Sequence, residues 1–146
     1  MANTTALNNA IRSEFMTTGY NLTTKSFKSA LYFATATVNA TTTAYTTTGE
    51  ATGTNYVAGG VAVTNGNAVS GLNTTITGDT YFWTPSATIT YTTVTIAAFD
   101  TVMIYDATTP FHPVGTWNFG SQSVTALTVN ILMPTNNLTT GLVRML

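Results

Sequence analysis

The densest β-forming stretch, ATITYTTVTIAAFDTVMIYD at 87–106, does most to limit what this chain can become. Ile89, Tyr91, Val94, Ile96, Phe99, Val102, Ile104 and Tyr105 are set among threonines. β-Branched and aromatic side chains suit a pleated, half-buried surface and lose rotamer freedom in a helix. The run exceeds an ordinary strand, and Ala97-Ala98-Phe99-Asp100 is where it should bend. The expectation is two strands, 87–97 and 100–106, joined tightly or through a bulge.

The flanking sequence supports a β protein with one helix. Leu7, Ile11 and Phe15 form an apolar stripe at helical spacing, predicting a helix over 5–17, capped by Asn3, Thr4 or Thr5 and ended by Gly19. Residues 26–34 alternate: Phe27, Ser29, Leu31 and Phe33 share one face, while Lys28, Ala30, Tyr32 and Ala34 share the other. Residues 35–60 lack periodicity and read as a long ordered loop anchored by Tyr45 and Tyr56. Loops of that length are usually functional or held by a partner.

Further strands are expected at 61–64, 68–76, 80–84, 114–119, 124–133 and 140–145. Asn65-Gly66, Thr77-Gly78-Asp79 and Gly120-Ser121-Gln122 are the expected turns, with a bulge near Ala126. This predicts one mainly β domain over 1–146, an antiparallel β-sandwich or barrel of about eight short strands with one short N-terminal helix.

Charge narrows the function. Only 6% of residues are charged and the net charge is −1, against about 25% charged in an ordinary soluble domain. Such a chain either hides surface in an assembly or stays wet through uncharged polar groups. Thr, about a quarter of the sequence, supplies those groups. With four Lys and Arg in all, nucleic acid is not an expected partner. No run of about 20 apolar residues exists, so no spanning helix and no membrane partner is expected. The first residues carry no secretory-signal pattern. The absence of cysteine removes disulfides, thiol catalysis and thiolate zinc sites.

No catalytic, metal or cofactor site is expected. His112, the single histidine, lies between Pro110 and Pro113 in a turn and has no evident triad partners. Asp79, Asp100 and Asp106 sit beside turns or strand ends, where carboxylates satisfy backbone groups. Glu50 is the acidic residue with the unusual setting, inside a Gly-rich loop; it is expected to pair with Lys25, Lys28 or a partner subunit. Gly59-Gly60 lacks the lysine and helix of a phosphate loop. Asn-x-Thr sequons at Asn3, Asn21, Asn39, Asn73 and Asn137 carry no weight without a secretion signal. Tyr81, Phe82 and Trp83 are consecutive, so at least one faces outward in a strand. Exposed aromatics bind sugars or build interfaces, and interface burial fits the low charge better.

The order LNNAIRSEF (7–15), FKSALYFATATVNATTTAYTTTGEATGTNYVAGGVAVT (27–64), VTIAAFDTVMIYDATT (94–109) and WNFG (117–120) resembles small virion structural proteins of tailed bacteriophages. The chain departs from their pattern at Phe99–Met103, where they tend to an Arg-Gly-Ala-Val run, and at Trp117-Asn118-Phe119, where they have an acidic D-F. The resemblance implies a non-enzymatic particle component without cofactors, made in the host bacterial cytoplasm and located on the virion. The first expectation is a capsid decoration (cement) protein that clamps the major capsid protein and forms a dimer or trimer with itself. The alternatives are a tail or head–tail connector component and a carbohydrate-binding or adhesin module; a small-molecule ligand is not expected. Expected contact residues are Leu7, Ile11 and Phe15 on the helix, Tyr45, Glu50 and Tyr56 in the loop, and Tyr81, Phe82 and Trp83.

Overall fold

The computed structural model describes residues 3–66, 69–71 and 80–145. It is mainly β with antiparallel pairing throughout, as the sequence predicts. In chain order the strands are β1 (Ala6–Leu7), β2 (Phe27–Phe33), β3 (Gly53–Thr54), β4 (Val61–Val63), β5 (Val69–Gly71), β6 (Thr80–Trp83), β7 (Ile89–Asp106), β8 (Pro113–Ile131) and β9 (Val143–Met145). The helix α1 spans Asn9–Thr17, and a 3-10 turn covers Leu22–Thr24. One sheet runs β1-β8-β7-β2-β4, with β3 also on β7; the other runs β5-β6-β9.

Two long strands form the spine. β7 is a single strand of 18 residues and β8 one of 19. At Ala98, where two strands were expected to join tightly or through a bulge, the bulge is present and one strand continues through it. The expected turn at Gly120-Ser121-Gln122 is absent: β8 passes through it, and Gln122 pairs with Phe99.

Four of the register shifts along this pair coincide with residues of positive φ: Thr93 (51°), Ala98 (56°), Gly120 (82°) and Ala126 (51°). Each bulge adds residues to one strand and re-aims the side chains that follow. Buried positions in β7 up to Phe99 are therefore Ile89, Tyr91, Val94, Ile96 and Phe99, stepping alternately by two and three, and from Phe99 to Asp106 every residue is buried. Thr92-Thr93 and Ala97-Ala98 fall outward as pairs.

The main core lies between the two sheets. Phe27, Leu31, Val63, Ile89, Val94 and Ile96 meet Trp83 and Val143 from the small sheet. The Phe27 and Trp83 rings stand 5.1 Å apart. Burying each such side chain contributes roughly 1.5–3 kcal/mol.

β2 is buried on both faces. Ala30 and Tyr32, on the side away from the main core, pack with Met103, Tyr105, Ala36 and Val38, and Tyr45 closes over them. The loop at 34–60 is therefore a third layer of this domain, which gives its length a structural reason. Gly60 (φ 67°) lies so close to β2 that an added Cβ would sit 1.7 Å from the Ser29 carbonyl oxygen.

Several boundaries differ from expectation; the last strand, expected at 140–145, begins at Val143, and the one expected to end at 133 ends at Ile131. The helix starts later because Asn8 is its cap, its side chain accepting from the Ala10 N–H at 2.9 Å. Leu7 instead pairs with Gly115 in β1. Asn3, an expected cap, donates to the Phe33 carbonyl at 3.0 Å and accepts from the Val38 N–H at 3.1 Å. Gly19 does follow the helix with φ 65°. Asn65-Gly66 does not make a hairpin: β4 pairs with β2 and β5 with β6, in different sheets. Asn65 works as a clip. It donates to the Leu22 carbonyl at 2.7 Å and the Lys25 carbonyl at 2.9 Å, and accepts from Trp83 Nε1 at 2.8 Å. The expected turn at Thr77-Gly78-Asp79 lies outside the described residues.

Candidate assembly surfaces

The side chains expected at an interface are mostly engaged within the chain. Ile11 and Trp83 are fully buried, and Phe82 nearly so. Leu7 and Phe15 are half-buried against the main core. Tyr81 alone of the nine is a large exposed side chain, at 51%. Deleting residues 1–18 would remove β1 and the Asn3 contacts, so it would disturb the fold before any attachment.

Glu50, Tyr45 and Tyr56 form a closed network, and the expected pairing of Glu50 with a lysine is not found. Glu50 is 5% exposed. Its Oε1 accepts from the Tyr56 hydroxyl at 2.9 Å and the Gly59 N–H at 2.7 Å, and its Oε2 accepts from the Tyr45 hydroxyl at 2.5 Å. Tyr56 also accepts from the Leu31 N–H on β2 at 2.9 Å. Burial, then the neighbouring Glu50 carboxylate, pushes Tyr105 up to about 12. Burial also raises Tyr45 and Tyr56, and Glu50 adds to it; at Tyr56 the Leu31 hydrogen bond opposes the rise. The network fastens the third layer to β2.

Asp100 and Asp106 have structural partners too. Asp100 accepts from Asn3 Nδ2 at 2.6 Å, Thr101 at 2.8 Å and Asn118 Nδ2 at 2.9 Å. Asp106 accepts from the Tyr20 hydroxyl at 2.6 Å and from Thr108, and Lys25 stands 3.5 Å away. Burial alone would raise the Asp106 pKa, but the Thr108 and Tyr20 hydrogen bonds and the Lys25 charge outweigh it, so the carboxyl is held below its ordinary range. His112 Nδ1 lies 3.4 Å from Glu14 Oε1 across the cleft beside Asp106. Among the described residues no group of three His, Asp or Glu is placed to hold a metal ion.

Among the described residues two open surfaces bear on assembly. The first is a groove of about 300 Å³ lined by Phe15, Tyr20, Leu22, Tyr81 and Trp83. It gathers aromatics expected separately at the helix and at 81–83, and adds Tyr20. The second is the outer half of β8. β1 pairs with it at Gly115 and Thr116, and Thr5 with Asn118. From Phe119 to Ile131 no strand among the described residues lies on that edge. Leu127 (59%) and Leu132 (77%) are exposed, and a groove of about 410 Å³ runs beside them from Phe119 to Ile131. No Asp, Glu, Lys or Arg occurs between Ala107 and Val143. The sequence signal for this surface was that uncharged span together with the broken alternation near Ala126.

Comparison with protein-family models, curated proteins and solved structures gives no match to this chain.

Proposed function

We propose that this chain is a structural subunit of a virus particle, and within that class a capsid decoration protein that binds the outer shell and stabilises it. The observation that carries this reading is the free edge of β8. Stable monomers keep edge strands short, charged or covered. This edge is long, without charge, and uncovered among the described residues. Strand addition at such an edge gives affinity through main-chain hydrogen bonds, and burial of Leu127 and Leu132 adds to it. The resemblance to small virion proteins of tailed bacteriophages supplies the setting. The internal engagement of Glu50, Asp100 and Asp106 supports a non-enzymatic role. Occupancy of many equivalent shell sites would stabilise the shell by mass action.

The test is to incubate purified chain with isolated shells, count bound copies by quantitative mass spectrometry and follow shell melting. Hundreds of copies per shell and a raised melting temperature are expected, both reduced by Leu127→Lys. Binding at about a dozen copies would move the assignment to a tail or connector ring. Shells that take up no protein would overturn the decoration role.

A second reading, glycan binding, is favoured by the aromatic groove, since an aromatic-lined cleft with a few polar groups is a common ligand site. Trp83 is too buried to stack on a sugar, so the informative variant is Tyr81→Ala. A glycan array on which wild type and Tyr81→Ala behave alike removes this reading.

A further inference from the structure

Gln122, Val124, Leu127 and Val129 of β8 stand opposite Phe99, Ile96, Val94 and Tyr91 of β7. Residues directly opposite on antiparallel strands share a sheet face, so these four point to the core side. Their spacing is two, three, two, which reads the same from either end. We infer that the free edge of β8 pairs antiparallel with the same edge of a second copy, about a two-fold axis passing between Thr125 and Ala126. This rests on the reading of β8 as the assembly surface and makes a second copy, in place of a strand from the shell, the occupant of that edge.

Such an axis sets Val124 opposite Leu127 and Gln122 opposite Val129 on the core side. On the other side it sets Ser123 opposite Thr128. Ala126, with its φ of 51°, then lies opposite Thr125 of the second copy, so the two breaks adjoin the axis. A straight strand would lose register there, because a bulge blunts an edge against regular pairing. A second copy carries the same three-residue step at the same place, and the symmetric pairing uses one patch twice. The edge is uncharged, so the pairing brings no like charges together. Val124 and Val129 are half-buried and Leu127 is exposed, so the core of one copy would continue into the other.

The size of the edge sets the strength. Residues 121–131 extend ~36 Å, and one layer ~10 Å deep gives ~360 Å² of contact. A standard specific interface has ~800 Å² per partner. The free pair is therefore weak and concentration-dependent, and it is strengthened wherever copies are held side by side.

The experiment is sedimentation equilibrium of the full chain from ~10 µM to ~1 mM, a range that brackets weak association. Wild type is expected to pass from monomer to dimer. The double variants Ser123→Lys with Thr128→Lys, and Ser123→Glu with Thr128→Glu, are expected to dimerise at least ten-fold more weakly. An equimolar mixture of the two should recover dimers. Both variants lose the 3.3 Å hydrogen bond from the Thr93 N–H to Thr128, so recovery on mixing cannot come from it and also shows that both are folded.

A wild-type chain that stays monomeric throughout, forms trimers, or dimerises as well with the paired lysines overturns the inference. Mixing without recovery does the same. None of these outcomes depends on shells. A chain that dimerises in this way but never loads onto shells defeats the decoration role alone.

Discussion

The Tyr56 hydroxyl lies 2.9 Å from Glu50 Oε1 and also accepts from the Leu31 N–H, joining the long loop to the middle of β2 through one oxygen. Gly59 and Tyr45 complete the carboxylate's shell from the same loop. Charge-assisted hydrogen bonds of this kind are roughly twice as strong as neutral ones.

Glu50→Gln keeps the shape but turns one acceptor into a donor facing hydroxyl or N–H groups. The expected loss is about 3 kcal/mol, because hydrogen bonds to charged groups contribute ~1.5–3 kcal/mol and a buried mismatch adds desolvation. Urea denaturation followed by tryptophan fluorescence measures it. A loss under ~0.5 kcal/mol, the scale of an ordinary surface substitution, would mean the loop is held mainly by the Tyr45 ring, which stacks on Tyr105 with centroids 4.5 Å apart.

Asp106 gives the acid limb of stability a definite sign. Its folded pKa is lowered, so the stability it contributes is present above the unfolded carboxylate value of about 3.9. That stability is lost as pH falls through the lower folded value. Asp106→Asn should therefore destabilise the chain at pH 7, by about 1–3 kcal/mol, and flatten the decline of stability below pH ~4. Thermal melts from neutral to strongly acidic pH on both proteins test this. Parallel acid limbs would show that another carboxylate governs the loss.

Trp83 and Tyr81 are two residues apart on β6 and should behave oppositely. Trp83→Ala empties a fully buried site and breaks the Asn65 clip, for a loss of about 3–5 kcal/mol. Tyr81→Ala, half exposed, should change stability by less than ~1 kcal/mol. Comparable losses at both positions would mean the aromatic groove is closed in solution.

Gly60→Ala places a methyl group against the Ser29 carbonyl at a residue with φ 67°. A left-handed conformation costs an L-residue about 1–2 kcal/mol, and the overlap forces the loop off β2. A loss of several kcal/mol or failure to fold is expected, whereas Gly19→Ala, with open space around it, should show the conformational part alone. Equal effects would mean that β2 and the loop are not in contact at Gly60.

The class of fold was readable because β-branched and aromatic residues concentrate at 27–33 and 87–106, and because no second helical stripe competes. The alternation at Phe27–Phe33 was correct, but alternation does not distinguish a wet face from one covered by a loop. That ambiguity made Tyr45, Glu50 and Tyr56 look available to a partner. The turn expected at Gly120 failed because a positive φ serves a bulge as well as a turn, and only the partner strand decides between them. The spacing at Ile89, Tyr91, Val94, Ile96 and Phe99 is visible in the sequence as twos and threes. It departs from strict alternation and so reads as noise until the bulges are placed. Leu7 was assigned to the helix because its spacing fits, yet Asn8 is a cap strong enough to begin the helix after it.

The first strand of the chain has a consequence for the order of events during synthesis. Thr116 donates to the Thr4 carbonyl 112 positions earlier, and Ala6 and Leu7 pair with Thr116 and Gly115. At about 5–20 residues per second, several seconds separate translation of these partners. β1 therefore cannot complete its pairing until β8 has left the ribosome, although Asn3 and Thr4 already have partners at Phe33 and Val38. Antiparallel pairing between strands far apart in sequence, here as in β2 with β7, is the non-local kind that folds in milliseconds to seconds, with loop closure rather than helix formation setting the pace.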